Sequence, residues 1–159
     1  MMPHITNRTR QQGIATVEFA LIGSVLFVVL FGLIEFGRLM FTWNVLDEAT
    51  RRAARIAVVC PVTNEGQAFA RATGAFGGTL LPGFTEANIA LGYWQEDGIT
   101  PATATANTYY VSAGITGYTH QMLIPFFDIT LDALRFETTL PAESLGVHAP
   151  GAGPAACGS

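Results

Sequence analysis

Residues 14 to 34, IATVEFALIGSVLFVVLFGLI, make an apolar run interrupted by polar side chains only at Thr16, Ser24 and the carboxylate of Glu18. A helix rises 1.5 Å per residue, so a run of this length reaches across the roughly 30 Å hydrocarbon core of a bilayer. Residues 1 to 13 ahead of it, MMPHITNRTRQQG, are polar, with Arg8 and Arg10 and no acid. The expected layout is a short leader over 1–13 and a transmembrane helix over 14–37, with the lipid bilayer as first partner. A removable secretory signal fits less well, because the run exceeds the roughly 7 to 15 residues of such a signal's apolar region and no A-x-A site closes it.

The helical pattern does not stop where the apolar run does. From Arg38 to Val58 there is neither Pro nor Gly, and Leu39, Trp43, Leu46, Ala49, Ala53, Ile56 and Ala57 recur at steps of three and four. That spacing makes one stripe on an amphipathic helix. Opposite it, Asp47 precedes Arg51 and Glu48 precedes Arg52 by four positions, the favourable order for surface pairs worth about 0.2–0.5 kcal/mol each. Glu35 marks the exit from lipid, with Arg38 one turn on and placed to pair with it. Pro61 ends the helix, giving an exported amphipathic continuation over 38–60.

Beyond Pro61 the composition changes. QAFARATGAF reads as a short helix and GGTLLPGFT as a loop. Asn88 to Trp94, Thr108 to His120 and Leu134 to Leu140 are rich in Ile, Val, Thr, Tyr and Phe between turn residues, and read as three strands. The segment QMLIPFFDITLDAL between the last two reads as a short apolar turn or helix. Three strands cannot bury both faces alone, and the stripe on residues 39 to 57 supplies the cover. The fold class expected is therefore α+β, a long N-terminal helix packed on a small antiparallel sheet, with a head over 61–146 and a loose Gly-, Ala- and Pro-rich tail over 147–159.

Composition narrows the function. Half of the 159 residues are apolar, 13% are charged, and eight arginines with no lysine stand against 12 acids for a net charge of -4. With no basic run there is little to hold phosphates, and nucleic acid is not expected as a partner. Cys60 and Cys157 match no metal-ligand spacing and read as one disulfide in an oxidising compartment, or as two unrelated thiols. A bridge would tie the tail back to the helix end.

No catalytic constellation is visible. His4, His120 and His148 are scattered, Ser144 lies in AESLG and not in a G-x-S-x-G elbow, and Asp128 and Asp132 lack a third ligand. GAFGGTLLPG lacks the Lys-Ser/Thr of a phosphate loop. No enzyme activity, cofactor or metal is expected.

The start of the chain is more specific. Gly13 is followed by Ile14, Ala15, Thr16 and Val17, then by Glu18 and Phe19. This resembles the processing site of type IV pilin-like proteins, where a prepilin peptidase cuts after the glycine and leaves a glutamate at the fifth mature position. RQQGIATVEFALI, with RAARIAVVC at the helix end and TLPAESLG near the terminus, resembles the TadE-like family of minor pseudopilins of the tight-adherence (Flp-type) pilus. The resemblance implies cleavage between Gly13 and Ile14, an assembly role for Glu18 and Phe19, and as partners a prepilin peptidase, other pilin-like subunits and an inner-membrane assembly platform. It further implies a single-pass bacterial inner-membrane protein whose C-terminal domain is periplasmic.

The residues give Glu18 a reason of its own. An acid at mid-bilayer costs about 2.5–3.5 kcal/mol, and less near a helix end, so such groups usually face a partner. A new ammonium on Ile14 of a neighbouring subunit would supply one.

Charge argues the other way on orientation. The leader holds two arginines while Arg38, Arg51, Arg52 and Arg55 flank the far side, so the exported head rests on the cysteines and on the resemblance. Rival readings are an uncut signal-anchored envelope protein with a ligand- or partner-binding head, a secretion-system pseudopilin, and a membrane-tethered hydrolase using Asp128 or His120.

Overall fold

The structure is a computed structural model that describes residues 12–123, 130–132, 135–147 and 157. The leader up to Gln11, and with it His4, lies outside the described residues, as do Asp128 and His148.

Helix α1 spans Gln12–Ala57, 46 residues without a break. It continues through Gly23, Gly32 and Gly37, over each of which there is open space within this chain. Its N-terminal part is bare: the apolar side chains from Ile14 to Ile34 are exposed. Cover begins at Glu35, and from there Val45, Leu46, Ala49, Ala53, Ala54 and Ala57 are buried. Of the expected stripe, Leu46, Ala49, Ala53 and Ala57 are buried and Leu39, Trp43 and Ile56 half-buried, while the pairs Arg51–Asp47 and Arg52–Glu48 lie on the solvent side at 2.9 and 3.1 Å.

Strands β1 (Ile89–Trp94), β2 (Tyr110–Ile115) and β5 (Glu137–Pro141) form an antiparallel sheet in the order β1-β2-β5. The pleat sends Val111, Ala113 and Ile115 toward α1, where they are buried. Thr50 fastens the helix to the edge strand. Its hydroxyl donates to the Asp47 carbonyl at 2.8 Å and accepts, also at 2.8 Å, from the Thr138 hydroxyl. The α+β class expected from sequence is the one observed.

Three local readings need correction. The stretch Thr108 to His120 is two strands, not one. β2 ends at Ile115, Gly117 turns the chain at a φ of 65°, and β3 (Thr119–Gln121) leaves to pair with β4 (Thr130–Asp132) in a separate hairpin. The segment read as an apolar turn or helix therefore begins in β3 and contains β4. The last strand starts at Glu137 and not at Leu134, which lies outside the described residues.

Helix α2 (Asn64–Gly74) begins earlier than expected, because the Thr63 hydroxyl accepts the Gly66 N–H and caps it. Its buried positions are Gly66, Ala70 and Gly74, one residue per turn with almost no side chain; Ala70 and Gly74 pack on α1 and Gly66 on Pro61 just beyond it. A Cβ on Gly74 would come within 2.8 Å of the Ala53 Cβ and 3.0 Å of the Ala49 carbonyl oxygen. Gly74→Leu is expected to lower head stability by about 2–3 kcal/mol, since neither helix backbone can yield without losing its other contacts. A urea titration in detergent micelles that finds the midpoint unmoved would contradict this close approach.

The far end of α1 is closed by the C-terminal segment. The Val58 carbonyl accepts N–H groups of Glu143 and Leu145 at 3.3 and 3.2 Å, and the Val59 carbonyl accepts the Gly146 N–H at 2.9 Å and the Ser144 hydroxyl at 3.2 Å. Carbonyls left over at a helix end need such donors. Gly146, at a φ of 78°, packs against Pro61 where a side chain would collide with the ring. Beside this strap Cys60 and Cys157 are joined in a disulfide across 97 residues of sequence.

Candidate functional site

Gly13, Ile14, Glu18 and Phe19 lie in the first turns of α1, all exposed. On a helix, Ile14 and Glu18 stand one turn apart on the same face. No described part of the head reaches this end. The side chains of Ile14, Val17, Phe19, Leu21 and Ile22 remain bare, an apolar surface far beyond what a folded head needs for itself. The helix is long and apolar enough to cross a membrane, and its apolar window is left uncovered by the described residues. A helix of this kind suits membrane anchoring.

At the opposite end of the apolar stretch is a polar cluster that binds the head to α1. Glu35 is only 5% exposed. Both its carboxylate oxygens accept from Arg38 Nη1, at 3.0 and 2.8 Å. Oε1 also lies 3.4 Å from His120 Nε2, while His120 Nδ1 lies 3.3 Å from the Thr42 hydroxyl. A carboxylate can only accept, so Nε2 donates to Glu35, while Nδ1 shares a hydrogen bond with the Thr42 hydroxyl. His120 thus spans two turns of α1, and each partner satisfies what would otherwise be a buried orphan. Tyr118, two residues earlier, packs edge-on to Phe84 with ring centroids 5.6 Å apart. Burial pushes the Tyr118 phenol above its ordinary pKa, against the opposing pull of Arg38.

The spacing of Glu35 and Arg38 foretold their pairing. It gave no sign of His120, whose sequence distance from Glu35 is 85. The only available signals were an acid closing an apolar run and a histidine ending a strand-like segment.

The remaining candidates stay apart. Ser144 donates to the Val59 carbonyl at the helix end, and Asp132 is exposed opposite Thr119 on the β3–β4 hairpin. Asp97, on the turn after β1, accepts from the Thr100 hydroxyl and the N–H groups of Thr100 and Ile99, and these bonds hold its carboxyl below the usual range. That loop is a self-contained turn. Among the described residues, no group of three or more His, Cys, Asp or Glu side chains could hold a metal ion.

No curated protein and no solved structure matches the chain. The stretch from Gly13 to Arg55, which lies wholly within α1, matches the family model described as TadE-like protein, and so makes the chain similar to the pilin-like proteins of Tad pilus systems.

Proposed function

We propose that this chain is a minor pilin-like subunit of a tight-adherence pilus, matured by cleavage between Gly13 and Ile14, that works by assembly and not by catalysis. One observation carries the reading: α1 is bare from Ile14 to Ile34 and bears a single acid, Glu18, one turn inside that stretch. In a bilayer the bare face is stored against lipid. In an assembly it packs on the helices of other subunits, where the Ile14 ammonium of a neighbour neutralises Glu18. Loss of the leader removes Arg8 and Arg10, leaving six arginines against 12 acids, and clears the helix start for packing. The head faces the periplasm, where the Cys60–Cys157 bond is chemically at home.

Mass spectrometry of protein extracted from membranes of cells with an active prepilin peptidase should find Ile14 at the N-terminus. An intact leader there ends the proposal. Glu18→Ala should insert normally yet weaken subunit association. Removing one partner of a buried charge pair costs about 2 kcal/mol or more, which is roughly thirtyfold or more in affinity. Co-purification of tagged and untagged subunits measures this, and undiminished recovery of the variant would rule out the pairing role.

A further inference from the structure

We propose that the end of the β3 segment, at Leu123, is a second membrane contact, an apolar foot that rests on the lipid surface beside α1. This goes beyond the assembly reading and needs from it only that α1 spans a bilayer.

The direction of the segment carries the inference. From Tyr118 through β3 to Leu123, Tyr118 packs on Phe84 in the head, His120 meets Thr42 and Glu35, and Leu123 lines a cleft with Phe31 and Ile34. Each step down the segment meets α1 nearer its N-terminus. Phe31 lies one helical turn, about 6 Å, on the lipid side of Glu35. The segment therefore descends from the head past the polar cluster to the level of the bare helix.

What it presents there is apolar. Leu123 is 68% exposed. With Phe31, Ile34, Glu35 and Arg38 it lines an open cleft of about 280 Å³. Phe31 and Ile34 already belong to the lipid-facing stretch, so the cleft continues that surface and the occupant it fits is lipid. Arg38, which lines the cleft, is paired through Nη1 with the Glu35 carboxylate, so its charge is balanced there and the contact is driven by apolar burial. Zwitterionic lipid suffices.

The His120 cluster acquires a purpose in this arrangement. It holds the foot at a fixed height on α1 and seals the Glu35 carboxylate from the lipid that begins just below it.

The test places single cysteines at Leu123, at Ile99 and at Val25 in separate full-length chains, each labelled with an environment-sensitive fluorophore after the native disulfide has closed. Ile99 is 78% exposed on the turn after β1, toward the Cys60 end of the head, and Val25 lies mid-helix. In phosphatidylcholine vesicles the probe at 123 should emit further to the blue than that at 99. Nitroxide placed at the shallow acyl level should quench it several-fold more strongly, with no change on adding salt. Quenching at 123 by aqueous iodide equal to that at 99, with Val25 buried in lipid, overturns the foot while leaving the anchor standing. A probe at 123 shielded from both quenchers would mean that protein covers it, and also overturns the inference. Failure of the probe at 25 to sense lipid defeats the membrane reading itself.

Discussion

Replacing Cys60 and Cys157 together by serine is expected to cost the head about 4 kcal/mol, because the bond closes a loop of 97 residues and the chain entropy it removes from the unfolded state grows with loop length. Domain stabilities are only about 5–15 kcal/mol, so the variant should stand near the edge of folding. The Glu143–Gly146 strap would then hold the end of α1 alone, through four hydrogen bonds shared between two carbonyls. Urea titrations of the oxidised chain, the dithiothreitol-reduced chain and the double serine variant provide the measurement. The last two should share one lowered midpoint, and a reduced chain as stable as the oxidised one would refute the estimate.

Phe84→Ala is expected to cost about 3–5 kcal/mol, the range for emptying an aromatic site in a packed core. Phe84 is buried with Leu46, Ala49 and Leu81 and braces Tyr118 edge-on. Its removal should loosen the base of the β3–β4 hairpin as well as the core, so hydrogen exchange at Thr119 and His120 should quicken more than at Val111. Tyr109→Ala, at an exposed ring, should change stability by less than about 0.5 kcal/mol. Equal effects of the two substitutions would show that Phe84 has no special place in the core.

How much of this could be read from sequence depends on what each element uses to pack. α1 declares itself twice, by an apolar run of membrane length and then by a stripe from Leu39 to Ala57, because it packs through hydrophobic bulk. α2 declares itself only in part: QAFARATGAF reads as a short helix, but its start at Asn64 does not show. Its buried positions are Gly66, Ala70 and Gly74, and a helix that docks by being thin leaves little hydrophobic period to find. The Thr63 cap is the local signal for that start.

The strands of the main sheet were legible from their β-branched and aromatic residues. Gly117, which splits the second stretch and sends β3 into a hairpin of its own, looks like any other glycine until its backbone angle is known. The site divides in the same way. Glu18 stands out because an acid in an apolar run is costly wherever it sits, and Gly13 because of its place before that run. The partnership of Glu35 with His120 and Thr42 is a tertiary fact that no local pattern encodes.

One feature of α1 bears on mechanics. There is no swivel between the greasy portion and the portion clasped by the sheet: the backbone ladder runs unbroken from Gln12 to Ala57. A tug on the former is delivered at Leu46, Ala49 and Ala53 as shear against the strands, with the disulfide and the strap bracing the distal end. The molecule is built as a strut, and force entering at one extremity emerges at the other with little lost to bending.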